Sequence, residues 1–267
     1  MTCSLIITTY NWKEALELVL LSVLKQTVRP TEVIIADDGS RDDTKELIKH
    51  FINTSDLNLL HSWQKDEGFR ASASRNKAIA KSSGEYTILI DGDMILHKDF
   101  IKDHLNFASK NHFVQGSRIL LNEDKTSDVF EKKTIEFSLF DSGLNNRKNK
   151  IKSKILTNLF SKSTKSLRGI KTCNMAFFKS DCLKVNGFNE DFIGWGREDS
   201  EFAVRLINNN ILRKNIKFSA IAYHIFHREN SREMLSINDK ILAESMNKKI
   251  KICSNGINNY IKDYNVS

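Results

Sequence analysis

One proline and 11 glycines in 267 residues leave little material for flexible linkers. No segment repeats at a fixed period, so neither a string of small domains nor a solenoid fits the chain. No apolar run approaches the length needed to cross a bilayer. The chain enters a strand-like stretch at Ser4-Leu5-Ile6-Ile7-Thr8-Thr9 with no basic segment, apolar core and small-residue cleavage site before it, which argues against a secretory signal. The four cysteines, Cys3, Cys173, Cys182 and Cys253, show no Cys-x-x-Cys spacing. A zinc or redox pair is therefore not indicated, and buried free thiols in a reducing cytoplasm are the simpler expectation.

What is present suits one large domain, or one domain with a helical appendage: 40% of the residues are hydrophobic, enough to bury a sizeable core. The formal net charge is +8, and it is unevenly spread. Between Asn145 and Lys171 stand nine Lys or Arg and no Asp or Glu. Such a run reads as a solvated loop, or as an attraction for an anionic membrane surface or a phosphate-bearing substrate. Nucleic acid is disfavoured, because Phe160 is the only aromatic in the segment and leaves no stacking platform.

The first half alternates two periodicities. Strand patterns at Leu5 to Thr8, Glu32 to Ala36, Leu57 to Trp63 and Tyr86 to Ile90 are separated by helix patterns at Lys13 to Lys25, Asp42 to Phe51 and Ala71 to Ser82. That order predicts βαβ units and a mostly parallel sheet with helices on both faces. Ligands of such sheets gather beyond the carboxyl ends of the strands. Attention therefore falls on Thr9-Tyr10-Asn11, Asp37-Asp38-Gly39-Ser40 and Asp91-Gly92-Asp93.

Asp91 and Asp93 end an apolar strand on a backbone that Gly92 lets bend. Two hard oxygen ligands there can hold magnesium or manganese and, through it, a diphosphate; the same tripeptide also closes ordinary turns. Asp37 and Asp38 can accept hydrogen bonds from a base or ribose, although helix capping would also explain their segment. Arg70 and Arg75 flank a helix start where an anion is favoured, and for each taken alone a surface salt bridge suffices.

Downstream, Gly194-Trp195-Gly196-Arg197-Glu198-Asp199 leads into a helix whose apolar face is Phe202, Leu206 and Ile207. Acids at that first turn complement the helix dipole. Trp195 offers a flat apolar surface for a sugar ring, and a neighbouring carboxylate can serve as general base. Ala220 to His227 reads as a strand ending in His224 and His227, either structural or metal-binding. Ile237, Ile241 and Leu242 predict amphipathic packing of a C-terminal helix.

Collected in order, these motifs resemble the family 2 glycosyltransferases of the GT-A fold, through Ile7-Thr8-Thr9-Tyr10-Asn11, Asp37-Asp38-Gly39-Ser40, Ala73-Ser74-Arg75-Asn76 and Asp91-Gly92-Asp93. Thr172-Cys173-Asn174-Met175-Ala176-Phe177 and Gly194 to Asp199 are similar to the C-terminal region shared by β-1,4-galactosyltransferases and bacterial chondroitin or hyaluronan polymerase domains. The resemblance implies a Rossmann-like GT-A domain over 1–236, with a nucleotide-binding half over about 1–115, an acceptor-side half over about 116–236 and a helical extension over 237–267. It implies an inverting, metal-dependent transfer of a hexose or N-acetylhexosamine from a UDP-sugar to a hydroxyl of a glycan or glycolipid acceptor.

By the same resemblance, Thr9, Tyr10, Asp38 and Arg75 surround the nucleotide, and Asp91 and Asp93 contact ribose and the metal-bound diphosphate. His224 completes a manganese or magnesium site, with His227 as the competing ligand. Asp199 is the base, with Glu198 beside it as sugar contact or alternative base. Asn174, Trp195 and Gly196 are implied on the acceptor or sugar side. Gly196-Arg197 stands where relatives often have Gly-Gly. A cytoplasmic enzyme is expected; the basic stretch and the C-terminal helix suggest peripheral contact with the anionic inner face of the membrane, with ordinary packing of that helix as the simpler alternative. The competing readings are a sugar-nucleotide nucleotidyltransferase, disfavoured because Thr8-Thr9-Tyr10-Asn11-Trp12 is no Gly-rich phosphate loop, and a non-catalytic basic binding module.

Overall fold

A computed structural model describes residues 1–138, 140–228 and 231–261. Residues 262–267 of the expected extension lie outside the described residues. The first half alternates as its patterning predicts: β1 (Cys3–Thr9), α1 (Lys13–Leu24), β2 (Glu32–Asp37), α2 (Asp42–Thr54), β3 (Leu59–Trp63), α3 (Ala71–Lys81) and β4 (Tyr86–Asp91). The largest shift in bounds lies between α2 and β3. There the helix runs on past Phe51 to Thr54, and the hydroxyl of Ser55, its C-cap, donates to the Phe51 carbonyl and closes it.

The second half is less regular. It holds β5 (Met94–Leu96), α4 (Phe100–Phe107), β6 (His112–Gln115), β7 (Ser117–Leu121), α5 (Glu123–Lys132), β8 (Leu144–Asn145), α6 (Lys154–Phe160), β9 (Lys162–Thr164) and β10 (Asn174–Phe178). Then come α7 (Lys179–Lys184), α8 (Glu198–Asn208), β11 (Leu212–Asn215), β12 (Ile221–His224) and α9 (Leu235–Asn247). The basic segment is thus no bare loop, since it carries a 3-10 turn at Arg147–Lys150, then α6 and β9.

Eight strands form one sheet in the order β3-β2-β1-β4-β10-β6-β11-β9. The β3-β2-β1-β4 part is parallel, whereas β10 enters antiparallel between β4 and β6 and carries the sheet across the two expected halves. Alternate residues of the parallel strands serve opposite faces: Leu5, Ile7, Val33, Ile35, Ile88 and Ile90 pack with α1 and α2. Ile6, Ile34, Ala36 and Leu89 pack instead with Ala78 and Ile79 of α3 and Phe202 and Leu206 of α8. Strands buried on both sides are expected where helices cover both faces. A smaller sheet, β5-β12-β7-β8, packs against α1 and α5 through Ile95, Ile119, Tyr223, Ala15 and Val129. All four cysteines are free and buried.

The C-terminal segment differs from its apolar pattern. Ile237 is exposed, and the buried positions of α9 are Asn238 and Ser245. The surface beneath α9 is polar: Asn238 Nδ2 donates to the carbonyls of Ile193 (3.2 Å) and Gly196 (3.0 Å), and Ser245 Oγ donates to Glu201 Oε1 (3.0 Å). Loop carbonyls left unpaired under a helix are costly, so the inward positions supply donors in place of aliphatic contact. A 3-10 turn at Ile257–Tyr260 then buries Ile257 beside α3.

Candidate active site

The parallel register sets Thr9 beside Asp37 and Thr8 beside Asp91, so the carboxyl ends of β1, β2 and β4 share one edge. Strand order reverses there, with β2 on one side of β1 and β4 on the other, and the crevice this leaves is where open α/β sheets bind ligands. A cleft of about 1320 Å³ opens over this edge. Thr9, Tyr10, Asp38, Arg75, Asp91 and Asp93 line one side of it. Trp195, Gly196, Glu198, Asp199, His224 and His227 also reach it, from the second half of the chain.

Of the paired acids after β2, Asp37 builds the turn. Its Oδ1 accepts from Ser40 N (2.8 Å) and its Oδ2 meets His61 Nε2 (2.8 Å). Asp38 faces the cleft, held by Gln64 Nε2 on Oδ1 (2.6 Å) and Arg70 N on Oδ2 (2.8 Å). Burial pushes its carboxyl up to about 6 against the pull of those donors. Capping does not explain Asp38, because the N-cap of α2 is Arg41 and no side chain caps the helix. Tyr10 is 49% exposed at the cleft rim, and its hydroxyl donates to Asp66 (2.9 Å).

Asp91 closes the large sheet and Asp93 opens onto the small one. Between them Gly92 N donates to Thr8 O (2.7 Å), so close that a Cβ would meet Thr9 Oγ1 at 3.0 Å. Asp93 is set beside β12 by the bond from Ile225 N to its carbonyl (2.9 Å). Its Oδ2 lies 3.4 Å from His224 Nε2 and 3.2 Å from His227 Nε2. Both candidate histidines therefore converge on it, and β12 ends at His224, short of its expected bound. Ligand atoms of the three residues lie within 4.8 Å of one another, and Asp93 Oδ1 is buried with no hydrogen-bond partner among the described residues. Burial lowers the His224 pKa and favours the neutral imidazole a metal requires; the hydrogen bond to Asp93 raises His227 to about 9. A carboxylate and two imidazoles in this arrangement can hold a divalent cation.

Arg75 is no surface residue. It is 4% exposed, and its guanidinium sits among three acids: Asp91 (3.5 Å), Glu198 (3.3 Å) and Asp199 (3.4 Å). Nε also donates to Thr8 Oγ1 (3.3 Å), and the group lies 5.4 Å from the centre of the Phe188 ring. Burial works against its charge, but Asp199, Asp91 and Glu198 hold it, and its pKa is raised. One cation does not balance three carboxylates: burial, with the charge of Asp199, pushes Glu198 up, and burial does the same to Asp91 against the pull of Arg75. Asp199 is the more open acid at the turn, with its side chain 22% exposed against 9% for Glu198. Thr172 orients it, the backbone N–H donating to Oδ2 (2.9 Å) and the hydroxyl to Oδ1 (2.8 Å).

Three residues of the loop before α8 are left-handed: Gly194 (φ 72°), which precedes Trp195, and the adjacent pair Gly196 (φ 108°) and Arg197 (φ 78°) that follows it. Gly194 N donates to Phe69 O (3.1 Å), and the Arg232 guanidinium lies 5.8 Å from the Trp195 ring centre. Asn174 does not reach the cleft. It is 1% exposed, Nδ2 donates to Ser117 O and Ala220 O (2.8 Å each), and Oδ1 meets His104 Nε2 (2.8 Å). Sequence reasoning assigned no role to Thr172, Arg118 or Lys171, which also line the cleft. Thr172 stood inside a recognised motif; Arg118 sits in a short strand whose pattern looks ordinary.

The family model described as glycosyl transferase family 2 matches residues 4–180, and the one described as N-terminal domain of galactosyltransferase matches residues 157–228. A chondroitin synthase of Escherichia coli is 28% identical over 241 residues, which cover 83% of this chain and 34% of that protein. A hyaluronan synthase of Pasteurella multocida is 29% identical over 237 residues, 83% of this chain and 24% of that protein. The chain thus spans 24% to 34% of the length of these relatives. Among solved structures, S. aureus TarS 1–349 in complex with UDP aligns with TM-score 0.63 and 18% identity, covering 91% of this chain and 64% of that one. That likeness is one of fold.

Proposed function

The chain belongs to glycosyl transferase family 2, and on that premise we propose that it moves a hexose or N-acetylhexosamine from a UDP-sugar to a hydroxyl of a glycan acceptor, with inversion and with a divalent metal. The observation that carries this reading is a single cleft with two chemistries. Asp93, His224 and His227 gather around a buried, unpartnered carboxylate oxygen, and Asp199 is held by Thr172 in the same space. Asp38 and Thr9 receive the nucleoside, with Tyr10 at the rim and Arg75 beneath. The fold shared with a UDP complex supports that assignment.

Asp93 and His224, joined by His227, are the residues that would hold manganese or magnesium. Bound there, the ion would act as a Lewis acid on the departing diphosphate. Asp199 takes the proton of the acceptor hydroxyl as its oxygen bonds to the anomeric carbon. The bond from that carbon to the diphosphate oxygen breaks on the opposite face, and UDP leaves. Arg75 keeps Asp199 and Asp91 at fixed spacing, so acceptor and donor meet in line and the reaction gains from alignment. Trp195 and Gly196 border the acceptor; Asn174 acts from behind, tying the strand after Thr172 to β7. In this division 1–115 binds the nucleotide and 116–236 the acceptor, with the extension from 237 steadying the Trp195 loop.

The test is release of UDP from a panel of UDP-sugars with candidate glycan acceptors, in manganese, in magnesium and after chelation. Transfer with one donor, lost on chelation, supports the reading. Pyrophosphate release from UTP and a sugar phosphate would assign the nucleotidyltransferase instead, and UDP binding without turnover would assign the binding module.

A further inference from the structure

The basic segment has a second property that charge alone does not reveal. In α6 the inner positions are Leu156 and Thr157, the latter with its hydroxyl on the carbonyls of Ser153 (2.7 Å) and Phe218 (3.1 Å). The outer positions are apolar as well. Ile155 is 73% exposed and Leu159, one turn on, 65%; Ile151 and Phe160 at the two ends are also exposed. A short helix with aliphatic residues on the side that faces away from its own protein is an unpartnered surface.

Its surroundings are cationic. Lys148, Lys154, Lys162 and Lys165 are exposed within the same segment, and Lys217 joins them where its N–H donates to Ser161 Oγ (3.3 Å). None of these five has an ion-pair partner among the described residues. Lys152 and Lys150 are spent otherwise, the first on Asp99 and Asp103 and the second over the Tyr223 ring. Apolar side chains ringed by free lysines, with no acid between Asn145 and Lys171, complement a bilayer whose headgroups are anionic and whose interior accepts the aliphatic tips. A protein partner would more often be met by a mixed or polar rim.

We propose that α6 and its flanking lysines dock this protein on an anionic membrane surface, with Ile155 and Leu159 inserted at the headgroup boundary. The placement gives the docking a purpose. The excursion starts from Asn145 and returns at Ile170-Lys171-Thr172, all of which line the cleft, so a docked α6 holds the cleft beside the bilayer. The docking does not depend on the transferase reading.

Co-sedimentation with vesicles tests it, using phosphatidylcholine alone and phosphatidylcholine mixed with phosphatidylglycerol. The protein is expected to sediment with the mixed vesicles only, less as salt is raised. Ile155→Ser with Leu159→Ser should weaken that partition about tenfold, and Lys154→Ala with Lys162→Ala about thirtyfold. The melting temperature should stay at the parent value in both variants, which separates lost docking from lost folding. No sedimentation, equal sedimentation with neutral vesicles, or variants that sediment like the parent would each overturn the proposal. So would a dimer in solution that the serine variant dissolves, since a second copy would then cover the face.

Discussion

The two sides of the cleft are built by different means. The side proposed to take the nucleotide rests on strand ends in a parallel sheet, where Thr9, Asp38 and Asp91 are fixed by register and by a core packed on both faces. The side proposed to take the acceptor rests on a loop with Gly194, Gly196 and Arg197 in left-handed conformations, clamped from outside by Asn238 of α9. Arg75 joins the two, contacting Asp91 on one side and Glu198 and Asp199 on the other. The contrast suggests that binding of the nucleotide and completion of the reaction can be separated by mutation.

The sharpest break is Asp199→Asn. Transfer should fall by about a thousandfold, the scale of general base catalysis, while calorimetry shows UDP affinity close to the parent. Equal loss of both would erase the division between the sides. On the nucleotide side, the Asp38 carboxyl ordinarily titrates at 3.8 and here at about 6. UDP affinity should therefore weaken below that pH by up to about tenfold per unit as the carboxylate takes a proton. Stability moves the other way. Between the two values the folded protein holds a proton that the unfolded chain has released, so the contribution present at low pH is lost as pH rises through about 6. The melting temperature of Asp38→Asn should vary less across that window.

How far each side can be read in advance follows the same line. Thr9, Asp38 and Asp91-Gly92-Asp93 were legible because a strand that ends in acids is a local signal, and its apolar period fixes which edge it reaches. Arg75 was legible as a site residue but not as the link from Asp91 to Asp199, the latter 124 positions away from it in the chain. Asn174 was legible as part of a motif, yet its amide is consumed by Ser117, Ala220 and His104, contacts made only once β7, β10 and α4 have assembled. The polar docking of α9 escaped notice for a related reason, since the carbonyls it serves belong to a loop about forty residues earlier, and the helix alone shows only its aliphatic spacing.

Smaller effects probe the acceptor side. Asn238→Ala leaves the carbonyls of Ile193 and Gly196 without their donor. It should cost about 1 kcal/mol by denaturant unfolding and raise the acceptor KM severalfold while UDP affinity holds. A change in UDP affinity instead would mean that the clamp serves both sides. Smallest of all, Arg197→Gly relieves a side chain at φ 78° and gives up an exposed pair with Asp239. The net gain should be about 0.5 kcal/mol, visible as a slight rise in melting temperature.

The short connection between the sheets carries a consequence for how such chains can vary. Asp91 is the last residue of β4 and Met94 the first of β5, so Gly92 and Asp93 alone cross from the large sheet to the small one. An added or deleted residue there would turn Asp93 away from His224 and shift β5 out of register with β12. In the span from Asn145 to Lys171 the register is held at β9, an edge strand of the large sheet, while the stretches on either side of it leave the cleft wall and come back to it. Changes of length should therefore accumulate in those stretches, and the crossing should keep its two residues even where the identity of every neighbour has drifted.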